Sequence, residues 1–118
     1  MKTIYLILFL FISNLVIAQK CDSTILLTHL KTLVEVDKPR NDLNVESLDF
    51  VADYIHSEFS KYSKNVAYQP FTVNKKEYKN VICSFGPKNA ERIVIGAHYD
   101  VCYNQPGADD NASGVLAP

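Results

Sequence analysis

Ile93-Val94-Ile95-Gly96-Ala97-His98-Tyr99-Asp100, followed shortly by Gln105-Pro106-Gly107-Ala108-Asp109-Asp110-Asn111-Ala112-Ser113-Gly114-Val115, is the stretch on which the reading of this chain turns. Ile93, Val94 and Ile95 are consecutive and apolar, with no polar alternation. A strand of that kind is expected to be buried on both faces, as in the centre of a parallel or mixed α/β sheet. Loops at the carboxyl ends of such strands are where α/β proteins carry their sites, and His98 and Asp100 stand there. Residues two apart in extended backbone point the same way, so these two side chains are expected on one side. An imidazole that binds a metal through one nitrogen needs its other N–H held, and a carboxylate is the usual holder. The pair alone is a weak signal. The run that follows sharpens it, because Asp109 and Asp110 are adjacent acids between a Pro-Gly turn and a helix start. Ala108, Ala112, Ser113 and Gly114 are small enough to let backbones approach closely. Carboxylates gathered beside a histidine repel unless a cation is present, and one carboxylate can bridge two zinc ions about 3.5–4 Å apart.

Working outward, Arg92–Ala97 is preceded by the polar turn Gly86-Pro87-Lys88-Asn89. Before that, Val66–Val73 and Tyr78–Phe85 are rich in β-formers, and their short separation across Asn74-Lys75-Lys76 predicts a hairpin. Pro70 removes a ladder donor, which marks its strand as an edge. Lys75, Lys76 and Lys79 read as a solvated hairpin face. Further upstream, Val45–Tyr62 is a predicted helix capped by Asn44. Its Leu48, Val51, Ala52, Ile55 and Phe59 form one apolar stripe, with Glu46, Asp49, Asp53 and Lys61 off it. A first helix is expected from Asp22 or Ser23 to Val36, with Ile25, Leu26, Leu27, Leu30, Leu33 and Val34 inward. Asp37–Asn41, with Lys38-Pro39-Arg40, reads as an ordinary polar loop. His29 and His56 fall in helices away from the motif and read as structural.

The amino terminus reads as a targeting segment. Met1-Lys2 is a positive start, Ile4–Ile12 is an unbroken apolar run, and Val16-Ile17-Ala18 suits signal peptidase. Residues 1–18 are therefore expected to be a cleaved signal peptide, leaving 19–118 as the mature chain, secreted or periplasmic. Lys20 before Cys21 argues against lipid attachment, and no second apolar run in the mature part is long enough to span a bilayer. Stable membrane association after cleavage is not expected. The chain's 118 residues, 47% hydrophobic and 21% charged, suit a globular protein rather than a disordered one. A net charge of −1 lacks the basic surplus of a nucleic-acid binder. Cys21, Cys83 and Cys102 are an odd number without a C-x-x-C, which argues against a cysteine zinc knuckle.

The segment Ile93–Val115 closely resembles the di-zinc aminopeptidases of the bacterial leucyl aminopeptidase and aminopeptidase Y type, family twenty-eight of the metallopeptidases. The upstream order of helix, helix, hairpin and central strand fits that family more loosely. The resemblance implies a three-layer αβα fold with a mixed, mostly parallel central sheet, of which this chain holds the amino-terminal part. It implies that His98 ligates one zinc, that Asp100 orients His98, and that Asp110 bridges two zinc ions per full-length chain. Asp109 is not a ligand in the family, and the Asp109–Asp110 peptide is expected to be cis. The implied activity is release of N-terminal residues from peptide substrates by a metal-activated water. A general-base glutamate and three further ligands of the family pattern have no counterpart here, and no Glu-Glu pair occurs. The 118-residue chain alone is therefore expected to be inactive. Two alternatives share the fold: a non-catalytic interaction domain that has lost its metals, and a single-zinc transferase of the glutaminyl cyclase type. The intact His98, Asp100 and Asp110 argue against the first, and the Gly107–Gly114 run looks more like the di-zinc enzymes than the second. Pro118 would break a helix that began near Asn111 or Ala112.

Overall fold

The computed structural model describes residues 22–116. The expected signal peptide, Cys21 and Pro118 lie outside them. Helix α1 is Ser23–Val34. Asp22 caps it as expected, its carboxylate accepting from the amides of Thr24 and Ile25, donors that a helix's first turn otherwise leaves without partners. Helix α2 is Val45–Ser60. Its stripe packs inward as the spacing predicts: Leu48, Val51, Ala52 and Ile55 are buried, and Phe59 packs against them. The stripe on α1 is much narrower. Only Leu33 of it is buried, while Ile25 and Leu27 are exposed. Asn44 does stand at the start of α2 but makes no side-chain cap. Its amide instead donates to Pro39 O and Asn41 Oδ1, so it folds the preceding loop.

Strands β1 (Val66–Val73) and β2 (Lys76–Cys83) form an antiparallel hairpin with Val66 opposite Cys83 and Val73 opposite Lys76. The second strand begins two residues earlier than the sequence suggests. The reason is a two-residue turn: Asn74 and Lys75 both have positive φ, at 50° and 66°, which matches the twist of a hairpin. Pro70 sits in this two-stranded sheet, where the hydrogen-bond ladder continues on one side only. The hairpin lies on α2. Lys79 is not simply solvated, since its Nζ is 3.0 Å from both Asp49 Oδ1 and Asp53 Oδ1 of α2.

Beyond the hairpin, residues 91–100 form no strand, and Ile93, Val94 and Ile95 are 93%, 89% and 81% exposed. The expectation of a strand buried on both faces is not met among the described residues, because β1 and β2 pair only with each other. An extended segment without a neighbour has no ladder to join. The chain then turns back to the core. Val101 is buried, and Ala112 is fully buried against Leu33, Val51 and Ile55. The small side chain at 112 thus lets the acidic loop seat directly on both helices. Among the described residues no helix is long and apolar enough to cross a membrane.

Candidate metal centre

His98, Asp100 and Asp110 converge. Residues 97–100 carry no regular secondary structure, and His98 Nδ1 lies 3.1 Å from Asp100 Oδ1. Asp110 arrives from the other direction. Gly107, at φ +64°, turns the chain, and the amide of Ala112 donates to Gly107 O at 3.0 Å, closing a wide loop over Ala108–Ala112. Asp110 and Asn111 leave helical geometry inside that loop. Asp110 is thereby held out from the surface, with Oδ1 3.0 Å from His98 Nε2. A cis peptide is present, but it joins Asp110 to Asn111, one position later than expected. The regular helix starts at Ser113, after the loop has closed, rather than at Asn111 or Ala112.

The imidazole therefore stands between two carboxylates, and this geometry has an electrostatic consequence. With Nδ1–H donating to Asp100, a neutral ring would turn the lone pair of Nε2 toward a carboxylate oxygen. Two acceptors at 3.0 Å repel. The contact is favourable if Nε2 carries a proton or if a cation lies between the two groups. Partial burial, the largest single influence on the ring, disfavours its charge. The backbone and carboxylate oxygens of Asp100 and the charge of Asp110 outweigh it, and the His98 pKa lies above its ordinary value.

The donor set suits zinc. Ligands about 2.0–2.2 Å from a tetrahedral zinc lie about 3.3 Å from one another, close to the 3.0 Å between Nε2 and Oδ1. All three side chains are at least half exposed, so a cation could reach them. Among the described residues no group of three or more His, Cys, Asp or Glu could hold a metal alone. Cys102 is exposed and Cys83 half-buried, neither in a disulfide. His29 bonds Tyr54 Oη, and His56 stacks on Tyr68, both as structural residues of the helices. A groove of about 200 Å³ is lined by residues including Val34, Val36, Pro39, Arg40 and Pro106. It includes none of the three converging side chains.

Sequence reasoning missed Arg40. It falls in the loop read as ordinary, yet it is 1% exposed. Its guanidinium donates to the carbonyls of Leu33, Tyr99, Pro106 and Gly107, which places it directly beneath the site. Burial pulls its pKa below the usual value, and the charge of Asp100 partly offsets that.

Comparison with known proteins agrees with this segment's reading. Residues 80–117 match Peptidase family M28, a stretch that contains His98, Asp100 and Asp110. The match supports that family over this carboxyl-terminal segment of the chain. The chain is also similar to the uncharacterized protein YfbL of Escherichia coli (strain K12), at 35% identity over 94 residues. That alignment covers 73% of this chain and 29% of YfbL, so the chain spans less than a third of that relative's length. No solved structure matches it.

Proposed function

We propose that this chain is the amino-terminal part of an exported, zinc-dependent aminopeptidase with a three-layer αβα fold. The observation that carries the reading is the placement of one imidazole 3.1 Å and 3.0 Å from two carboxylates at a single surface point. His98 presents Nε2 as a ligand. Asp100 accepts the Nδ1 proton, which fixes both the tautomer and the ring plane. Asp110 offers a carboxylate whose two oxygens can serve two cations. Two zinc ions, when bound, polarise a peptide carbonyl and lower the pKa of water. The general base and the remaining ligands belong to a part of the longer protein outside these 118 residues, as the 29% coverage of YfbL is consistent with. The 118 residues alone are therefore inactive in this reading, and peptides are the substrates of the complete enzyme.

The test uses the full-length protein. Metal analysis is expected to give two zincs per chain, and chelation to abolish hydrolysis of aminoacyl anilides. Asp110→Ala is expected to lose both metal and activity while keeping its far-ultraviolet circular dichroism. Full activity in that variant, or a metal-free protein with undiminished turnover, would sink the proposal.

A further inference from the structure

Arg40 is the largest fully buried side chain among the described residues. Its position is unusual in physical terms. A buried cation is costly unless it is paired, and no carboxylate lies within ion-pair distance of it among the described residues. Four backbone carbonyls take the place of a counter-ion. Nε donates to Tyr99 O at 2.8 Å, Nη1 to Leu33 O and to Pro106 O at 3.1 Å, and Nη2 to Gly107 O at 3.3 Å. Leu33 belongs to the last turn of α1. The other three carbonyls belong to the two segments that carry the site. Tyr99 lies between His98 and Asp100, and Pro106-Gly107 opens the loop that delivers Asp110. The main chain around Arg40 makes the same connection, since its own carbonyl accepts from the amide of Val101 at 2.8 Å. Next to it, Asn41 Nδ2 donates to Tyr103 O at 2.6 Å.

Among the described residues no backbone hydrogen bond runs directly between residues 98–100 and residues 106–110. The segment before His98 has no ladder, and Asp110 sits in a loop whose closing bond is internal. The distance between Nε2 and Oδ1 is therefore set by what both segments are tied to. We propose that Arg40 is a positioning residue, whose guanidinium clamps the His98–Asp100 segment to the Pro106–Gly107 turn and so fixes the separation of His98 and Asp110 ahead of zinc binding. The inference rests on the zinc reading above. It assigns a role to a residue that touches neither metal nor substrate. A planar fork with several donors can serve carbonyls lying in different directions, whereas an ammonium on a flexible stem cannot reach all of them. Arg40→Lys is thus a charge-preserving test of the clamp, and Arg40→Gln keeps two donors without the charge.

The experiment measures zinc affinity of the full-length protein by competition with a chromogenic chelator, alongside thermal unfolding and amide hydrogen exchange of the metal-free form. Leu48→Ala serves as a control, because it truncates a buried side chain of α2 outside the cluster of Leu33, Val51, Ile55 and Ala112 and removes none of the clamp's hydrogen bonds. Arg40→Lys and Arg40→Gln are expected to weaken zinc binding by about tenfold or more, the usual scale for groups that orient ligands. Amides of 98–112 in the metal-free variants are expected to exchange faster than in the wild type. Leu48→Ala is expected to lower the melting temperature while zinc affinity stays within about twofold. Unchanged zinc affinity in both Arg40 variants, or an equal loss in Leu48→Ala, overturns the clamp. A wild-type protein that takes up no zinc overturns the zinc reading itself. That outcome is distinct because it appears before any substitution is made.

Discussion

Gly107 and Gly86 both have positive φ, at +64° and +78°, but their surroundings differ. A β-carbon on Gly86 would meet nothing within 4 Å. One on Gly107 would lie 2.2 Å from Val101 Cγ1, 2.8 Å from Asp110 O and 2.9 Å from Arg40 Nη2. Gly86→Ala is therefore expected to cost only the left-handed backbone penalty, about 1–2 kcal/mol. Gly107→Ala adds overpacking of about 1–3 kcal/mol, and it also pushes on the turn that delivers Asp110. Urea unfolding of the two variants checks the difference, and equal losses would refute it. The residues of the centre were legible for a simple reason. His98 and Asp100 follow the period of extended backbone, and Asp110 is flagged by its small and acidic neighbours. Arg40 gave no such signal. Its four acceptors are main-chain oxygens, three of them some sixty residues away, and carbonyls leave no mark in a sequence. A lone arginine beside a proline reads as a loop until the chain is folded.

Elements were legible where one face meets a partner. Helix α2 packs against the hairpin, and its apolar stripe was readable in full; α1 buries only Leu33 of its stripe, so its apolar positions overstate its contacts. The junction of α2 with the hairpin is also where charge matters. Asp53 Oδ1 accepts from Tyr68 Oη at 2.9 Å and from Lys79 Nζ at 3.0 Å. The bond from Lys79, followed by that from Tyr68, holds the Asp53 carboxyl below its ordinary pKa. A carboxylate with a depressed folded pKa stabilises fully above the unfolded value, near pH 4, and that stabilisation disappears as pH falls through the folded value. Stability of the hairpin against α2 is accordingly expected to fall on acidification below about pH 4. Asp53→Asn should be less stable than wild type near neutrality and show a shallower acid limb in a series of denaturation curves. Because Asp53 is exposed, the effect should shrink in high salt; a salt-independent difference would point to packing instead. At the start of α1, Asp22→Ala removes acceptors for two amides and is expected to cost about 1 kcal/mol, seen as fraying of the first turn in amide exchange.

At the scale of the whole molecule the conspicuous feature is the exposure of Ile93, Val94 and Ile95. Fully burying a side chain of this kind contributes about 1.5–3 kcal/mol, so three of them represent roughly 4–9 kcal/mol, comparable to the net stability of an entire domain. No single loop contact recovers that much. In the proposed αβα fold these residues become a central strand, with neighbours contributed by the longer protein, and the strand end holding His98 is then fixed from both sides. Without those neighbours, the same residues offer an unpaired apolar edge, which is a template for association between copies. Two outcomes follow. Residues 19–118 produced alone are expected to self-associate, giving a concentration-dependent mass in analytical ultracentrifugation, and Val94→Lys is expected to return them toward monomer. In the full-length protein the same Val94→Lys change should instead be strongly destabilising, because it would force an ammonium into a sheet interior. Amides of Ile93–Ile95 should exchange slowly in the full-length protein and quickly in the shorter chain. A full-length Val94→Lys variant as stable as wild type would place this segment on the surface of the complete molecule. That result would remove the central strand, and the αβα architecture with it, while leaving the contacts among His98, Asp100 and Asp110 to be explained by the Arg40 clamp and the loop closed at Gly107.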